Sequence, residues 1–127
     1  MARKTPEGER LLTEVELELM HIVWRLGESS VADVLGALPP ERPLAYTSVS
    51  TILRILEQKG VVSSRKEGRG HIYLPVLTRE RYEATSLRHL VKTLFDGTPE
   101  RLVRRLIEDE GISPGELDSL KKLLDKE

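Results

Sequence analysis

Short hydroxyl side chains and one guanidinium lie along one face of a predicted helix near the middle of the chain. This polar face consists of Thr47, Ser50, Thr51, Arg54 and Gln58. The opposite face is apolar, because the segment from Val49 to Leu56 has the i, i+3, i+4, i+7 spacing of a buried stripe. Small donors and acceptors beside one long arginine suit a helix that lies against base edges in a DNA major groove. A helix exposed only to water would more often carry Glu and Lys there.

A basic hairpin is predicted directly after this helix. Residues 61–66 and 71–76 are β-prone runs, and the glycine-containing segment 67–70 joins them. Three short helices followed by a basic hairpin form the order of elements of a winged helix-turn-helix. The sequence therefore predicts a DNA-binding domain of this type.

Positive charge is concentrated on the same part of the chain. The net charge of the whole chain is −1, which does not by itself indicate a nucleic-acid partner. Residues 42–76, however, hold six Lys or Arg and two Glu, whereas residues 1–41 have a net charge of −4 and residues 77–127 one of −1. This distribution favours a polyanionic partner for the helix and hairpin. A solvated basic hairpin with no partner is the alternative.

The first predicted helix begins at a recognisable cap. Thr13 followed by Glu16 is a capping box, and it opens a helix over residues 14–26. The apolar stripe of this helix is expected to reach Leu26, with Met20 on its flank.

The starts of the next two helices are also predicted from capping residues. Ser29 or Ser30 is expected to cap the second helix, and Thr47 or Ser48 the third. The third helix is expected to end at Lys59-Gly60, with a cation in its last turn and glycine after it. The loop between these helices, around Leu44, is expected to pair with the hairpin as a short strand.

Residues 78–127 are predicted to form three further helices, which begin near Thr78, Thr98 and Ser113. Helices of this size cannot bury all of their leucines among themselves. Packing against a second copy of the chain would cover the exposed apolar area, whereas folding back onto the preceding domain as a monomer is the alternative. The predicted dimer contacts are Leu87, Leu90, Val91, Leu94, Leu102, Leu106, Ile107, Leu117, Leu120 and Leu124.

Composition excludes several classes of protein. The 127 residues are 39% hydrophobic, enough for one compact core, and include no cysteine, which excludes disulfides, thiolate metal sites and cysteine nucleophiles. No signal peptide is recognised and no apolar run approaches the roughly 18 residues of a membrane span, so a cytoplasmic protein without membrane insertion is expected. Neither an enzyme nor a cofactor is predicted, because His21, His71 and His89 lack metal-ligand spacing and no nucleophile motif is present. A zinc site at His89 is a weaker alternative.

Four segments of the sequence resemble one family of bacterial regulators. They are LTEVELELMHIVW, YTSVSTILRILEQKGVV, RKEGRGHIYLPV and LFDGTPERLVRRLIEDEGISPGELDSLKKLL. Together they are similar to the penicillinase-repressor family (BlaI, MecI and the copper-responsive CopY) over residues 11–125. The resemblance implies a homodimeric repressor of an inverted-repeat operator in double-stranded DNA, which controls genes such as those for β-lactamase and so for antibiotic resistance.

The resemblance maps Thr47, Ser48, Thr51 and Arg54 onto the groove-facing part of the third helix, and Arg65, Lys66 and Arg69 onto the wing. We expect the DNA contacts to be divided between these two parts of the domain and the second helix. The third helix would read bases, while the hairpin and the start of the second helix would hold phosphates. The predicted base-reading residues are Thr47, Ser48, Ser50, Thr51 and Arg54. The predicted backbone contacts are Ser30, Lys59, Arg65, Lys66, Arg69 and His71.

Two regulatory features of the family differ in this sequence. Better-known members are inactivated when a membrane sensor's signal leads to cleavage of an Asn-Phe bond in the C-terminal helices, and Arg105-Leu106 stands at that position here. The copper-responsive branch carries a cysteine-rich tail, which is absent here. A regulatory protease or sensor is therefore not identified from the sequence.

The expected architecture is mainly α with a small β-wing. It comprises a flexible arm over residues 1–11, a winged helix-turn-helix domain over residues 12–77 and a three-helix dimerisation region over residues 78–127. A winged helix that binds another protein, without sequence-specific DNA binding, is the alternative function. The near-zero net charge favours this alternative, and the local positive charge of residues 42–76 opposes it.

Overall fold

A computed structural model describes residues 11–125, with side chains described up to Leu123. The predicted flexible arm lies outside these residues, apart from Leu11. Within the described range the helices are α1 (Glu14–Leu26), α2 (Val31–Ala37), α3 (Tyr46–Gln58), α4 (Arg79–Leu94), α5 (Pro99–Asp109) and α6 (Pro114–Asp125). The strands are β1 (Ser29–Ser30), β2 (Val62–Glu67) and β3 (Gly70–Pro75).

The capping box predicted for α1 is present. The Glu16 N–H donates to the Thr13 hydroxyl at 3.2 Å, and the Thr13 N–H donates to the Glu16 carboxylate at 2.9 Å. The prediction that the buried stripe includes Leu26 is wrong, because this side chain is 42% exposed, whereas Met20 is fully buried. The helix ends at Leu26 and the chain turns at Gly27, so this final helical residue lies at the edge of the core, although Val23 in the same turn is fully buried.

The three strands form an antiparallel sheet in the order β1-β3-β2. Ser29 pairs with Tyr73 and Ser30 with Ile72, so the strand that joins the hairpin in the sheet is β1, directly before α2. The expected strand around Leu44 is therefore wrong. The hairpin between β2 and β3 closes through two residues rather than four, and Gly68 has φ +61°, a value that favours glycine.

Helix α3 begins before either of the predicted caps. Ala45 is its N-cap residue, and the Val49 N–H donates to the Ala45 carbonyl at 3.0 Å, which places Thr47 and Ser48 inside the first turn. The predicted end is confirmed, since Lys59 is the C-cap and Gly60 has φ +82°.

The chain divides into two compact units, residues up to Ser86 and residues from Leu87, and the division falls inside α4. The first unit contains the hydrophobic core, formed by α1, α2, α3 and the sheet. Its fully buried side chains include Leu19, Met20, Val23, Val34, Val49, Leu53 and Leu56. In the second unit none of the described side chains, up to Leu123, is buried.

Candidate nucleic-acid interface

The outer face of α3 is polar, exposed and unpaired. Thr47, Ser48, Thr51 and Arg54 are all exposed, and within residues 11–125 none of their side chains has a hydrogen-bond or ion-pair partner. Val49, Leu53 and Leu56 anchor the opposite face in the core, which fixes the direction in which the polar face points. The predicted separation of polar and apolar faces is therefore present.

One side of α3 borders a cleft of about 400 Å³ against the wing, the β2–β3 hairpin. Ser50 lines this cleft and is half-buried, so it lies beside the outer face rather than on it. The cleft is bordered on the α3 side by Tyr46, Ser50, Arg54 and Glu57, and on the wing side by Arg69, Gly70, His71 and Tyr73.

The N-terminus of α3 has no side-chain cap. The first N–H groups of a helix have no intrahelical acceptor, and they carry the positive end of the helix dipole. Because the Ala45 side chain has no oxygen, these donors have no side-chain acceptor at the cap and are available to water or to an external acceptor. They lie at the same end of the helix as Thr47 and Ser48.

The two faces of the wing carry different cations. Paired residues of an antiparallel ladder share a face, and Lys66 pairs with His71 while Arg65 pairs with Ile72. The face of Lys66 and His71 also carries Ser64, whose hydroxyl donates to Glu57 of α3 at 2.8 Å. Lys66 and His71 therefore lie on the α3 side of the wing, and Arg65 lies on the other side.

Arg65 is held by two carboxylates. Its guanidinium is 2.9 Å from Glu28 in the turn after α1 and 3.3 Å from Glu67 on its own strand. The hydrogen bond to Glu28 raises the pKa of Arg65 above its ordinary value. A DNA phosphate would have to displace both acids, so Arg65 is a poorer backbone contact than its charge indicates.

Lys59 is also occupied. Its ammonium lies 2.6 Å from the Glu16 carboxylate, and the two side chains are only 18% and 11% exposed. Burial raises the pKa of Glu16, but the hydrogen bonds from Lys59 and from the Thr13 N–H outweigh burial and hold that pKa below 4.5. This pair connects α3 to the start of α1, and it removes Lys59 from the set of cations available to DNA.

Ser30 has a structural partner as well. Its hydroxyl accepts from the Asp33 N–H at 3.0 Å, and the Asp33 carboxylate accepts from the Ser30 N–H at the same distance. This capping box places a negative charge at the start of α2, which disfavours a phosphate there.

The cations of residues 42–76 that have no ion-pair partner within residues 11–125 lie on α3 and on the wing. Arg42 pairs with Glu18 at 2.9 Å, so three of the six cations in residues 42–76 are neutralised by nearby acids. Within residues 11–125, Arg54, Lys66 and Arg69 have no ion-pair partner. These three lie on α3, on the α3 side of the wing and at its tip.

The predicted dimer contacts lie on incompletely covered helices. Leu87, Leu90, Leu94, Ile107 and Leu120 are exposed, with Leu94 at 62%. Four other predicted dimer contacts are half-buried: Val91, Leu102, Leu106 and Leu117. The side chain of Leu124 lies outside the described residues.

The Arg105-Leu106 bond lies inside α5. Arg105 pairs with Glu108 and with Asp109, and Leu106 is half-buried. Cleavage at this bond would require local unwinding of the helix.

Among the described residues, no group of three or more His, Asp or Glu side chains is placed to hold a metal ion. The histidines lie apart: His21 is on α1 beside Trp24, His71 on the wing beside Tyr73, and His89 on α4. No described helix is long and apolar enough to cross a membrane.

Comparison with known proteins decides the family. A family model described as "Penicillinase repressor" matches residues 12–126. The chain belongs to the penicillinase-repressor family. It is 24% identical to the penicillinase repressor of Bacillus licheniformis, over 91% of this chain and 90% of that protein. It is 30% identical to the transcriptional regulator BlaI of Mycobacterium tuberculosis (strain CDC 1551 / Oshkosh), over 89% of this chain and 82% of that protein.

A solved structure supports the fold. The DNA-binding domain of the repressor BlaI matches 64% of this chain and 94% of its own length, with 26% identity and a TM-score of 0.52. The predicted fold class, a mainly helical winged helix with a small sheet, is therefore confirmed, as is the predicted family. Penicillinase repressors are winged-helix transcriptional regulators rather than enzymes.

One exposed aromatic residue that borders the cleft is absent from the prediction. Tyr46 is the first residue of α3 and is 54% exposed at the mouth of the cleft. The expected caps at Thr47 and Ser48 placed it before the helix. Its position one residue ahead of a run of hydroxyl residues was the only signal available in the sequence.

Proposed function

We propose that this member of the penicillinase-repressor family binds an inverted-repeat operator in double-stranded DNA as a homodimer, with α3 in the major groove and the wing on the phosphate backbone. One observation carries the proposal: the outer face of α3 is exposed, rich in short donors and acceptors, and without partners in the described residues. If another part of this chain covered that face, its polar side chains would be expected to have hydrogen-bond partners within the chain.

The proposed base contacts come from α3. Thr47, Ser48 and Thr51 are short enough to let the helix axis approach the base edges, and Arg54 is long enough to donate two hydrogen bonds to a guanine. Ser50 borders the cleft, so its hydroxyl would reach a base or sugar from the wing side.

The proposed phosphate contacts come from the wing. Lys66, Arg69 and His71 lie on or near the α3 side and have no acidic partner among residues 11–125. Arg65, Lys59 and Ser30 are left out of the proposed contacts, because each already has the structural partner described above. The proposed phosphate contacts are therefore fewer than the six Lys and Arg side chains of residues 42–76 suggest.

The proposed dimer rests on the second unit. Exposed apolar side chains recur on α4, α5 and α6, and none of the described side chains from Leu87 to Leu123 is buried. A second copy of the chain would cover these side chains. It would also explain operator binding, because a twofold dimer presents two α3 helices to two half-sites of an inverted repeat.

Selection of bound fragments from the source genome tests DNA binding. We expect enrichment of fragments that share an inverted repeat, and affinity for them that falls by orders of magnitude between about 50 and 200 mM salt. Enrichment of no fragment would count against the proposal. Stable, salt-insensitive capture of a protein by the same α3 face would favour the protein-binding alternative instead.

A further inference from the structure

Two of the three tyrosines have structural roles that account for them. Tyr73 is 5% exposed in the sheet, and Tyr82 is 8% exposed with its hydroxyl accepting from the Leu12 N–H at 2.9 Å. Tyr46 differs, since it is 54% exposed and has no hydrogen-bond partner within residues 11–125. The fold itself gives no reason for an aromatic ring at this position.

The position of Tyr46 is defined by the start of α3. It is the first helical residue, and it lies on the same side of the helix as Ser50 and Arg54, which follow at i+4 and i+8. Helical side chains tilt toward the N-terminus of their helix. The ring therefore lies at the N-terminal end of α3, where it is exposed and borders the cleft.

The chemistry of this ring is that of an apolar surface with one hydroxyl. In the major groove the C5-methyl of thymine is the apolar group that a base edge presents, and apolar side chains read it by contact. On the rest of the α3 face the apolar groups are the single methyls of Thr47 and Thr51, each much smaller than the Tyr46 ring.

We propose that Tyr46 is a specificity-determining residue, whose ring packs against the C5-methyl of one thymine in each operator half-site. The inference rests on the proposed function, since it requires α3 to enter the major groove. It adds a base pair at the edge of the half-site to those read by Thr51 and Arg54.

Base selection from a random duplex library provides the first test. Wild-type protein and Tyr46→Phe, which keeps the ring, are expected to select the same thymine, whereas Tyr46→Ala is expected to lose preference at that position alone. Gln58→Ala is the matched control, because Gln58 is exposed at the other end of the same helix and should retain the thymine preference. Uniform weakening of all sequences by Tyr46→Ala would instead make Tyr46 a phosphate contact and overturn the inference.

Replacing that thymine with deoxyuridine removes only the methyl group. Wild-type affinity is expected to fall about fourfold per half-site, the effect of exposing one buried methyl, and Tyr46→Ala is expected to show no change. Equal sensitivity of the two proteins would contradict the contact. A wild-type protein without any sequence preference would overturn the proposed function itself, which separates the two failures.

Discussion

At the scale of single residues, Arg54 and Lys59 show why charge alone does not locate the interface. Both are cations in or next to the last turns of α3. Arg54 is exposed and unpaired among the described residues, whereas Lys59 is mostly buried against Glu16. Their substitution should therefore affect different properties of the protein.

Replacing Arg54 with Ala is expected to weaken operator binding by about 1–3 kcal/mol and to relax preference at one base pair. The reason is the loss of a side chain that can donate two hydrogen bonds to a guanine edge. Binding titrations on the operator and on single-base variants measure both effects. Equal weakening on every sequence would show that Arg54 contacts a phosphate.

Replacing Lys59 with Met is expected to lower the free energy of unfolding by about 1–3 kcal/mol, because it leaves the Glu16 carboxylate buried without its cation. Urea denaturation at neutral pH measures this loss. Lys66→Met is the control, since Lys66 is exposed on the wing and should leave stability unchanged.

The effect of Lys59→Met should depend on pH. The folded pKa of Glu16 lies below its ordinary value of 4.5, so the carboxylate stabilises the fold above about pH 4.5, and this contribution is lost as pH falls through the lowered pKa. The stability difference between wild type and variant should therefore shrink in acid. A difference that stays constant from pH 7 to pH 3 would show that packing, not the ion pair, is responsible.

At the scale of elements, α3 begins without a side-chain cap, although Ala45 has the backbone conformation of an N-cap residue. Ala45→Ser and Ala45→Asp should each stabilise the protein by about 0.5–1 kcal/mol by accepting from the first turn. Ala45→Asp should also weaken DNA binding, because it places a negative charge where α3 meets the operator. Unchanged DNA affinity for Ala45→Asp would indicate that this end of α3 does not approach DNA.

The wing should respond according to its two faces. Arg69→Ala and Lys66→Ala are each expected to weaken binding to all DNA and to reduce the slope of log K against log salt by about two per dimer. Arg65→Ala should change the slope little, because Arg65 is paired with Glu28 and Glu67 on the other face. Salt titrations of the three variants test this order. A larger effect of Arg65→Ala than of Arg69→Ala would reverse the assignment of faces.

The sequence predicted the elements whose signals are local. The capping box of Thr13 and Glu16, the end of α3 at Lys59 and Gly60, and the hairpin after it are all encoded within a few residues. The strand Ser29–Ser30 could not be predicted, because two serines carry no strand pattern and their pairing depends on the distant Tyr73 and Ile72.

Part of the candidate site also depended on contacts that are distant in sequence. Glu16 and Lys59 are 43 residues apart, and Glu28 and Arg65 are 37 apart, so the sequence alone did not show that either cation is paired. The polar face of α3 was predictable because helical periodicity places it opposite the apolar stripe. Tyr46 was not assigned to it because the helix begins earlier than the capping propensities of Thr47 and Ser48 indicate.

At the scale of the whole molecule, the second unit should control assembly. Ile107→Lys is expected to convert the dimer to a monomer at micromolar concentration, since it buries a charge in the proposed interface. Leu26→Lys is the matched control, because Leu26 is exposed on the first unit and a cation suits the last turn of α1. Sedimentation over a concentration series distinguishes the two variants. A wild-type protein that remains monomeric at tens of micromolar would contradict the dimer.

The central claim is that the exposed face of α3 reads a DNA sequence. The most direct test measures the affinities of wild type and Arg54→Ala for a selected operator and for a scrambled duplex of equal length, at one salt concentration. Wild type is expected to prefer the operator by at least about 1,000-fold, and Arg54→Ala to reduce that ratio by about fivefold or more. Equal affinity of the wild-type protein for both duplexes would contradict the claim.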